Sequence, residues 1–86
     1  MEPKAETKGE TMVTIETIGV GTKDDFQELE RLLAAERIEY SVYFEDYDPT
    51  PYNAIARAQE GHIRNVLKEL DSKRIYYETT MRLPIA

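Results

Sequence analysis

The spacing of apolar residues changes several times along this chain, and that change constrains the fold more than any other feature of the sequence. Apolar and polar residues alternate in three segments, residues 11–20, 38–46 and 74–84, as in β-strands with one buried face. Between the first two segments, apolar residues recur at three- and four-residue steps, which is typical of an amphipathic helix: Phe26, Leu29, Leu32 and Leu33. The chain is therefore predicted to pack a sheet against helices.

The first helix has signals at both of its ends. Gly19 and Gly21 interrupt the first strand, and Thr22 is followed three residues later by Asp25. This is the spacing of an N-cap hydroxyl and a carboxylate that returns to it. The helix is predicted to end near Arg37, whose cation suits the negative end of the helix dipole.

The segment after the proline-rich turn allows two interpretations. A single helix extending to Ser72 would place Gln59 within its apolar face and Gly61 in its interior, at a cost of about 1 kcal/mol. A strand over residues 52–58, followed by a helix over about residues 60–73, avoids both problems. We prefer the strand and keep the long helix as the alternative.

The element order is then β-α-β-β-α-β, which consists of two split βαβ units. This order predicts an α+β domain of the ferredoxin-like type, with a four-stranded antiparallel sheet and two helices on one face. The alternative with the long second helix has a three-stranded sheet and the order β-α-β-α-β. Residues 1–10 are polar and are predicted to form a disordered tail. Residues 11–86 are predicted to form one domain, because so short a chain has room for one core only.

Composition excludes several functional classes. The chain has no cysteine, which rules out disulfides, thiol catalysis and thiolate metal sites and fits a cytoplasmic location. It contains no apolar run long enough for a signal peptide or a membrane span, so we expect no membrane contact. The net charge of −6 is concentrated at residues 24–48, where nine acidic residues stand against two basic ones. Such a surface repels phosphate, so we expect no nucleic-acid partner.

The acidic residues have two uses beyond solvation to consider. Glu45, Asp46 and Asp48 lie at a turn, but their spacing is not that of a calcium-binding loop, so we predict no metal site. An acidic face can also imitate nucleic acid, as in small phage-type inhibitors, and this is one alternative function. The acidic face would comprise Asp24, Asp25, Glu28, Glu45, Asp46 and Asp48.

The loop between the first strand and the first helix is a candidate ligand site through Gly19, Gly21 and Thr22. Backbone amides at a helix N-terminus attract anions, but Asp24 and Asp25 compete for the same positive end, and the spacing is not that of a dinucleotide-binding motif. A glycine at this corner, with this element order, resembles small regulatory domains of the ACT type. That resemblance implies a small-ligand sensor that binds an effector near the loop between paired subunits. No cofactor is predicted.

His62 is the only histidine, and no carboxylate follows it at three or four residues, where Asn65 and Val66 stand. We therefore interpret His62 as structural or solvent-facing. The sequence offers no nucleophile and base at a recognisable spacing, so we predict no catalytic residues and no enzymatic activity.

Six tyrosines in 86 residues are the feature that most favours an interaction surface. The alternation assigns one set of side chains to the inner face of the sheet: Val13, Ile15, Val42, Phe44, Ile75 and Tyr77. It leaves another set on the outer face, with apolar and aromatic residues among polar ones: Met12, Ile18, Tyr43, Ile55 and Tyr76 among Thr14, Glu16, Arg57, Glu78 and Arg82. An uncovered face of this kind calls for a partner. The predicted interface residues are Met12, Tyr43, Ile55 and Tyr76. The principal hypothesis is a non-enzymatic interaction or regulatory module that forms a homodimer through this face and binds another protein.

Overall fold

A computed structural model describes residues 13–81 of the chain, and side chains as far as Thr80. Six elements follow one another: β1 Val13–Val20, α1 Lys23–Ala35, β2 Glu39–Phe44, β3 Tyr52–Gln59, α2 Glu60–Ser72 and β4 Tyr77–Met81. The predicted tail at residues 1–10 and the predicted interface residue Met12 lie outside the described residues.

The four strands form one antiparallel sheet in the order β2-β3-β1-β4. β3 lies between β1 and β2, so that Ala54 is opposite Ile18 on one side and opposite Val42 on the other. The predicted ferredoxin-like α+β fold is confirmed. The three-stranded alternative with a long second helix is wrong, because residues 52–59 pair with two strands, and this pairing overrides the helix propensity of the alanines in the segment.

The ends of the helices have defined contacts. The predicted N-cap of α1 is confirmed, since the amide N–H of Asp25 donates to Oγ1 of Thr22 over 3.1 Å. α1 ends at Ala35, close to its predicted end. Arg37 lies in the turn that follows, with a φ of 58°, and Arg74 has the same φ after α2. The two helices therefore end in similar turns.

The core lies between the sheet and the two helices. β1 and β3 contribute alternate residues, and α1 and α2 contribute residues at three- and four-residue steps. The buried apolar side chains are Ile18, Val20, Leu29, Leu32, Leu33, Ile38, Ala54, Ala56, Ile63, Val66 and Leu70. Because α1 and α2 pack on the same side of the sheet, we call that side the helix face and the other side the open face.

The face assignment predicted for β1 is wrong. Ile18, which the alternation places on the outer face, is fully buried on the helix face together with Val20. Val13 and Ile15 lie on the open face instead, where both are half-buried. The polar pair at residues 16–17 interrupts the alternation: the apolar residues before it are odd-numbered and those after it are even-numbered. The two sets therefore point to opposite faces of the sheet. The helices cover the second half of the strand, and that contact decides which set is buried.

Candidate protein-interaction surfaces

β2 is an edge strand, and half of its backbone hydrogen-bonding groups face away from the sheet. Its only strand neighbour among residues 13–81 is β3. The amide N–H of Glu45 donates to the carbonyl of Pro51 over 2.9 Å, and these two residues continue the β2–β3 register. Hydrogen-bonded pairs alternate along an antiparallel ladder, so the odd-numbered residues of β2 bond to β3. The residues that direct their N–H and C=O groups outward are Tyr40, Val42 and Phe44.

Apolar side chains accompany these outward backbone groups. Val42 and Phe44 lie on the helix face, as predicted, but they are 53% and 58% exposed because β2 is at the margin of the sheet, where the helices cover it least. The ring of Phe44 meets that of Tyr52 edge-on, with centroids 5.1 Å apart, and Tyr52 is 5.9 Å from Phe26 of α1. An apolar strip therefore extends from α1 to the free edge of the sheet.

Tyr40 connects the same strand to α1. Its hydroxyl donates to Oε2 of Glu30 over 3.2 Å. Burial and the neighbouring Glu30 carboxylate both raise the pKa of the Tyr40 hydroxyl above its usual value. The hydroxyl therefore keeps its proton at neutral pH and holds the beginning of β2 against the helix.

The open face carries the predicted interface residues in two separate places. Tyr43 on β2 is 38% exposed and lies diagonally from the half-buried Ile55 on β3. Tyr76 is 64% exposed and directly precedes β4, at the opposite edge of the sheet. Val13 and Ile15, which the sequence pattern places on the other side, add apolar surface to the middle of this face.

A polar cluster lies between the two places. Asn53 and Thr50 cover Gly19: a Cβ on this glycine would be 2.5 Å from Oδ1 of Asn53 and 2.9 Å from Oγ1 of Thr50. Nδ2 of Asn53 donates to two carbonyls of the β2–β3 turn, over 3.1 and 3.2 Å. Glu78 accepts hydrogen bonds from the hydroxyls of Thr50 and Tyr76, over 3.4 and 2.6 Å. These contacts hold the β2–β3 turn over the open face.

The residues of the predicted ligand loop lie in different surroundings. Gly19 is buried beneath the polar cluster. Gly21 is exposed, and a Cβ there would meet only the carbonyl of Pro49, at 3.7 Å. The hydroxyl of Thr22 accepts the hydrogen bond from Asp25 that caps α1. A ligand site at this loop stays a prediction.

The first group of predicted acidic residues is on α1. Asp24 and Asp25 lie in the first turn, and Glu28 is one turn further along. Glu28 pairs with Arg31 and, over 3.5 Å, with Lys73 just beyond α2. The hydrogen bond from Arg31 is the main reason that the pKa of Glu28 lies below its usual value. Basic neighbours therefore offset part of the charge of this group.

The second group surrounds the free edge. Glu39 begins β2, and Glu45, Asp46 and Asp48 lie in the turn that follows the strand. None of these four forms an ion pair with another residue of the range 13–81. Residues 38–48 contain no lysine, arginine or histidine. Negative charge therefore flanks the edge strand at both of its ends.

His62 has a carboxylate neighbour that its sequence surroundings do not show. Nδ1 of His62 is 2.9 Å from Oε1 of Glu36, the residue that caps the end of α1. Nδ2 of Asn65 donates to the same oxygen over 3.5 Å. These contacts join α1 to α2. Spacing along the chain could not reveal them, because Glu36 is 26 residues from His62.

Glu16 is a buried carboxyl that the alternation places on the outer face, and this assignment is also wrong. The register of β1 turns Glu16 and Thr14 toward the helices, where both are buried. Glu16 lies on a groove of about 440 Å³ between α2 and β4, whose lining includes Arg64, Leu67 and Thr79. The loss of solvation on burial raises the pKa of the Glu16 carboxyl.

Within the part of the chain that the structure describes, no three His, Cys, Asp or Glu side chains are placed to hold a metal ion. No helix in that same part has the length and apolar character needed to cross a membrane. The described residues form an α+β domain of ferredoxin-like architecture. No protein-family model matches the sequence, and no curated protein matches it at a significant level. The function is therefore inferred from the surfaces of the domain itself.

Proposed function

We propose that the chain is a non-enzymatic interaction module that forms a homodimer through the open face of its sheet and binds another protein through its remaining surface. One observation carries the proposal: tyrosine and isoleucine side chains stay accessible on the sheet face that neither α1 nor α2 covers. Tyr43 stands near one edge of that face with Ile55 and Ile15 on its side of the sheet, and Tyr76 stands near the other edge, beyond the polar cluster.

The composition of the open face favours association. A chain of this size buries only about two thirds of the surface that its unfolded form exposes, so a second copy that covers more apolar area adds substantially to its stability. Tyrosine provides a large apolar ring and a hydroxyl that keeps a polar partner, which is why it is enriched in interfaces. Two open faces related by a two-fold axis would place identical patches against each other at the usual spacing of about 10 Å between sheets.

The charged residues of the open face lie around this apolar area. Glu39 and Arg57 are directly opposite each other in the β2–β3 register, and both are exposed. Glu78 lies on β4, on the other side of β1. Charges of both signs around an apolar centre favour one orientation of the two copies over others.

Solution mass, measured by light scattering across a range of concentrations, tests the homodimer. We expect wild-type protein to have twice the 10.0 kDa mass of one chain. The double variant Tyr43→Glu, Tyr76→Glu should be a folded monomer, because an interface that buries four unpaired carboxylates loses several kcal/mol. Gln27→Glu is the control, since Gln27 is exposed on α1, on the opposite side of the sheet from the open face. It should leave the dimer intact.

Two results would contradict this proposal. A wild-type monomer at every concentration would exclude the homodimer. A double variant that remains dimeric would show that the copies meet through a surface other than the open face. A circular dichroism spectrum of each variant establishes that the fold is kept.

A further inference from the structure

We infer that the free edge of β2 accepts an extended, basic segment of a partner protein as a fifth strand of the sheet. The inference rests on the proposed function, since it identifies how the module would hold its protein partner. Three features of the edge carry it: the outward backbone groups, the alternation of exposed side chains and the charge.

The backbone of the edge is ready to pair. Tyr40, Val42 and Phe44 direct their N–H and C=O groups outward, and an added antiparallel strand can bond to all of them. Soluble proteins commonly block such edges with lysine, proline or a bulge. Residues 39–44 contain neither lysine nor proline, and their pairing with β3 has no bulge. The edge therefore has none of these protections.

The side chains of an added strand would alternate between the two faces of the sheet. On the helix face they would lie beside Val42 and Phe44, which are more than half exposed, so an apolar side chain there covers apolar surface. On the open face they would lie beside Glu39, Ser41 and Tyr43 and near the acids of the following turn. A segment that alternates apolar and basic residues matches both rows.

The charge of the edge favours such a partner over a second copy of this chain. The symmetric register that pairs every outward group places Val42 opposite Val42 of the other copy and Tyr40 opposite Phe44. It also places Glu39 opposite Glu45 on both sides of the axis, and like charges directly opposite each other destabilise a sheet. Residues 38–48 contain no basic residue. Arg57 lies opposite Glu39 on β3 but forms no ion pair with it, and the residue opposite Glu45 is Pro51, so the repulsion is not offset. A basic strand neutralises the same acids.

The experiment measures fluorescence anisotropy of a capped, fluorescein-labelled peptide of about seven residues that alternates lysine and valine, titrated with the full chain. One control peptide has glutamate in place of lysine, and a second has N-methylated valines. A valine of the peptide that lies opposite Val42 is on the same face of the sheet and exchanges backbone hydrogen bonds with Val42. The valine amides are therefore the ones that point toward β2, and N-methylation removes these donors. We expect saturable binding of the lysine peptide that weakens with salt, and binding at least about tenfold weaker for either control.

Variants of β2 test the same contact from the protein side. Val42→Pro removes an outward N–H and leaves the bonds to β3 in place, so the fold should survive, as edge strands tolerate proline at such positions. Lysine-peptide affinity should fall about tenfold or more. Val42→Thr keeps both the N–H and the branched shape and should bind as wild type does. The double variant Glu39→Lys, Glu45→Lys tests the charge of the edge without introducing a proline. It should bind the glutamate peptide more tightly than the lysine peptide.

Several outcomes would overturn the inference. Equal binding of the lysine and glutamate peptides would exclude a basic partner, and binding that survives both N-methylation and Val42→Pro would exclude strand addition.

If neither peptide binds and Val42→Pro dissociates a wild-type dimer, a second copy occupies the edge. If neither peptide binds and Val42→Pro leaves the mass unchanged, the edge accepts no strand. A wild-type monomer that binds the lysine peptide would contradict the homodimer alone. A dimer that binds neither peptide and that Val42→Pro leaves intact would contradict this inference alone.

Discussion

Gly19 allows the β2–β3 turn to fold back over the open face, because Asn53 and Thr50 occupy the space that a side chain would need. Asn53 cannot move away without losing its two hydrogen bonds to the turn. We expect Gly19→Ala to lower the free energy of unfolding by about 1–3 kcal/mol, measured by urea denaturation. Gly21→Ala is the control, because its Cβ meets only the Pro49 carbonyl, and its effect should stay within about 0.5 kcal/mol. Equal losses in the two variants would contradict this account.

Glu16 makes stability depend on pH. Burial raises the pKa of its carboxyl, so the folded state binds the proton more tightly than the unfolded state. Its contribution to stability is therefore fully present below the ordinary pKa of 4.5 and is lost as the pH rises through the higher pKa of the folded state. Glu16→Gln should be more stable than wild type by on the order of 1 kcal/mol at pH 7, and this difference should shrink below pH 4.5.

Urea denaturation between pH 4 and pH 8 measures this difference. Glu69→Gln is the control, because Glu69 is exposed on α2. Its free energy of unfolding at pH 7 should stay within about 0.5 kcal/mol of wild type. A Glu16→Gln variant that is less stable than wild type at pH 7 would show that the Glu16 carboxylate is ionised and stabilised in the folded protein.

At the scale of the elements, both helices end in a Schellman-type turn. The amide N–H of Ile38 donates to the carbonyl of Leu33 over 2.9 Å, and that of Ile75 donates to Leu70 over 3.0 Å. The residue before each isoleucine must then adopt a positive φ, and here it is Arg37 or Arg74 rather than glycine. Because a β-carbon in this region costs roughly 1 kcal/mol, these turns persist through their hydrogen bonds and through the packing of the isoleucines.

We expect Arg37→Gly to raise the free energy of unfolding by about 0.5–1 kcal/mol, because glycine adopts this φ without strain. Arg37→Ala keeps the β-carbon and should give no such gain. Thermal and urea denaturation of the two variants measure the difference. A loss of stability in Arg37→Gly would show that the arginine side chain contributes more to the fold than its backbone strain costs.

The elements differ in how far neighbouring residues could predict them. Thr22 and Asp25 mark the beginning of α1 correctly, because capping is a contact within four residues. The strand at residues 52–59 is predictable because a helix there would conflict with Gln59 and Gly61. The buried side of β1 is not, since both sides carry β-branched residues and only the contact with α1 and α2 distinguishes them.

At the scale of the whole molecule, the two proposed surfaces are geometrically compatible. Stacking of open faces occurs perpendicular to the sheet, whereas an added strand lies in its plane, so a dimer of this kind leaves both β2 edges accessible. Most of the acidic charge at residues 24–48 lies on α1 and around β2, outside the apolar centre of the open face. Homodimerisation and the binding of a basic segment can therefore occur in the same assembly.

The sequence by itself determined the order of strands and helices, the cap of α1, the exposure of Tyr43 and Tyr76 and the acidic charge around β2. These properties depend on residues close together in the chain. Only the tertiary structure decided that β2 is an edge, that Glu16 is buried and that Glu36 meets His62. Those features arise from pairing and packing between distant segments, and no local pattern specifies which distant segments meet.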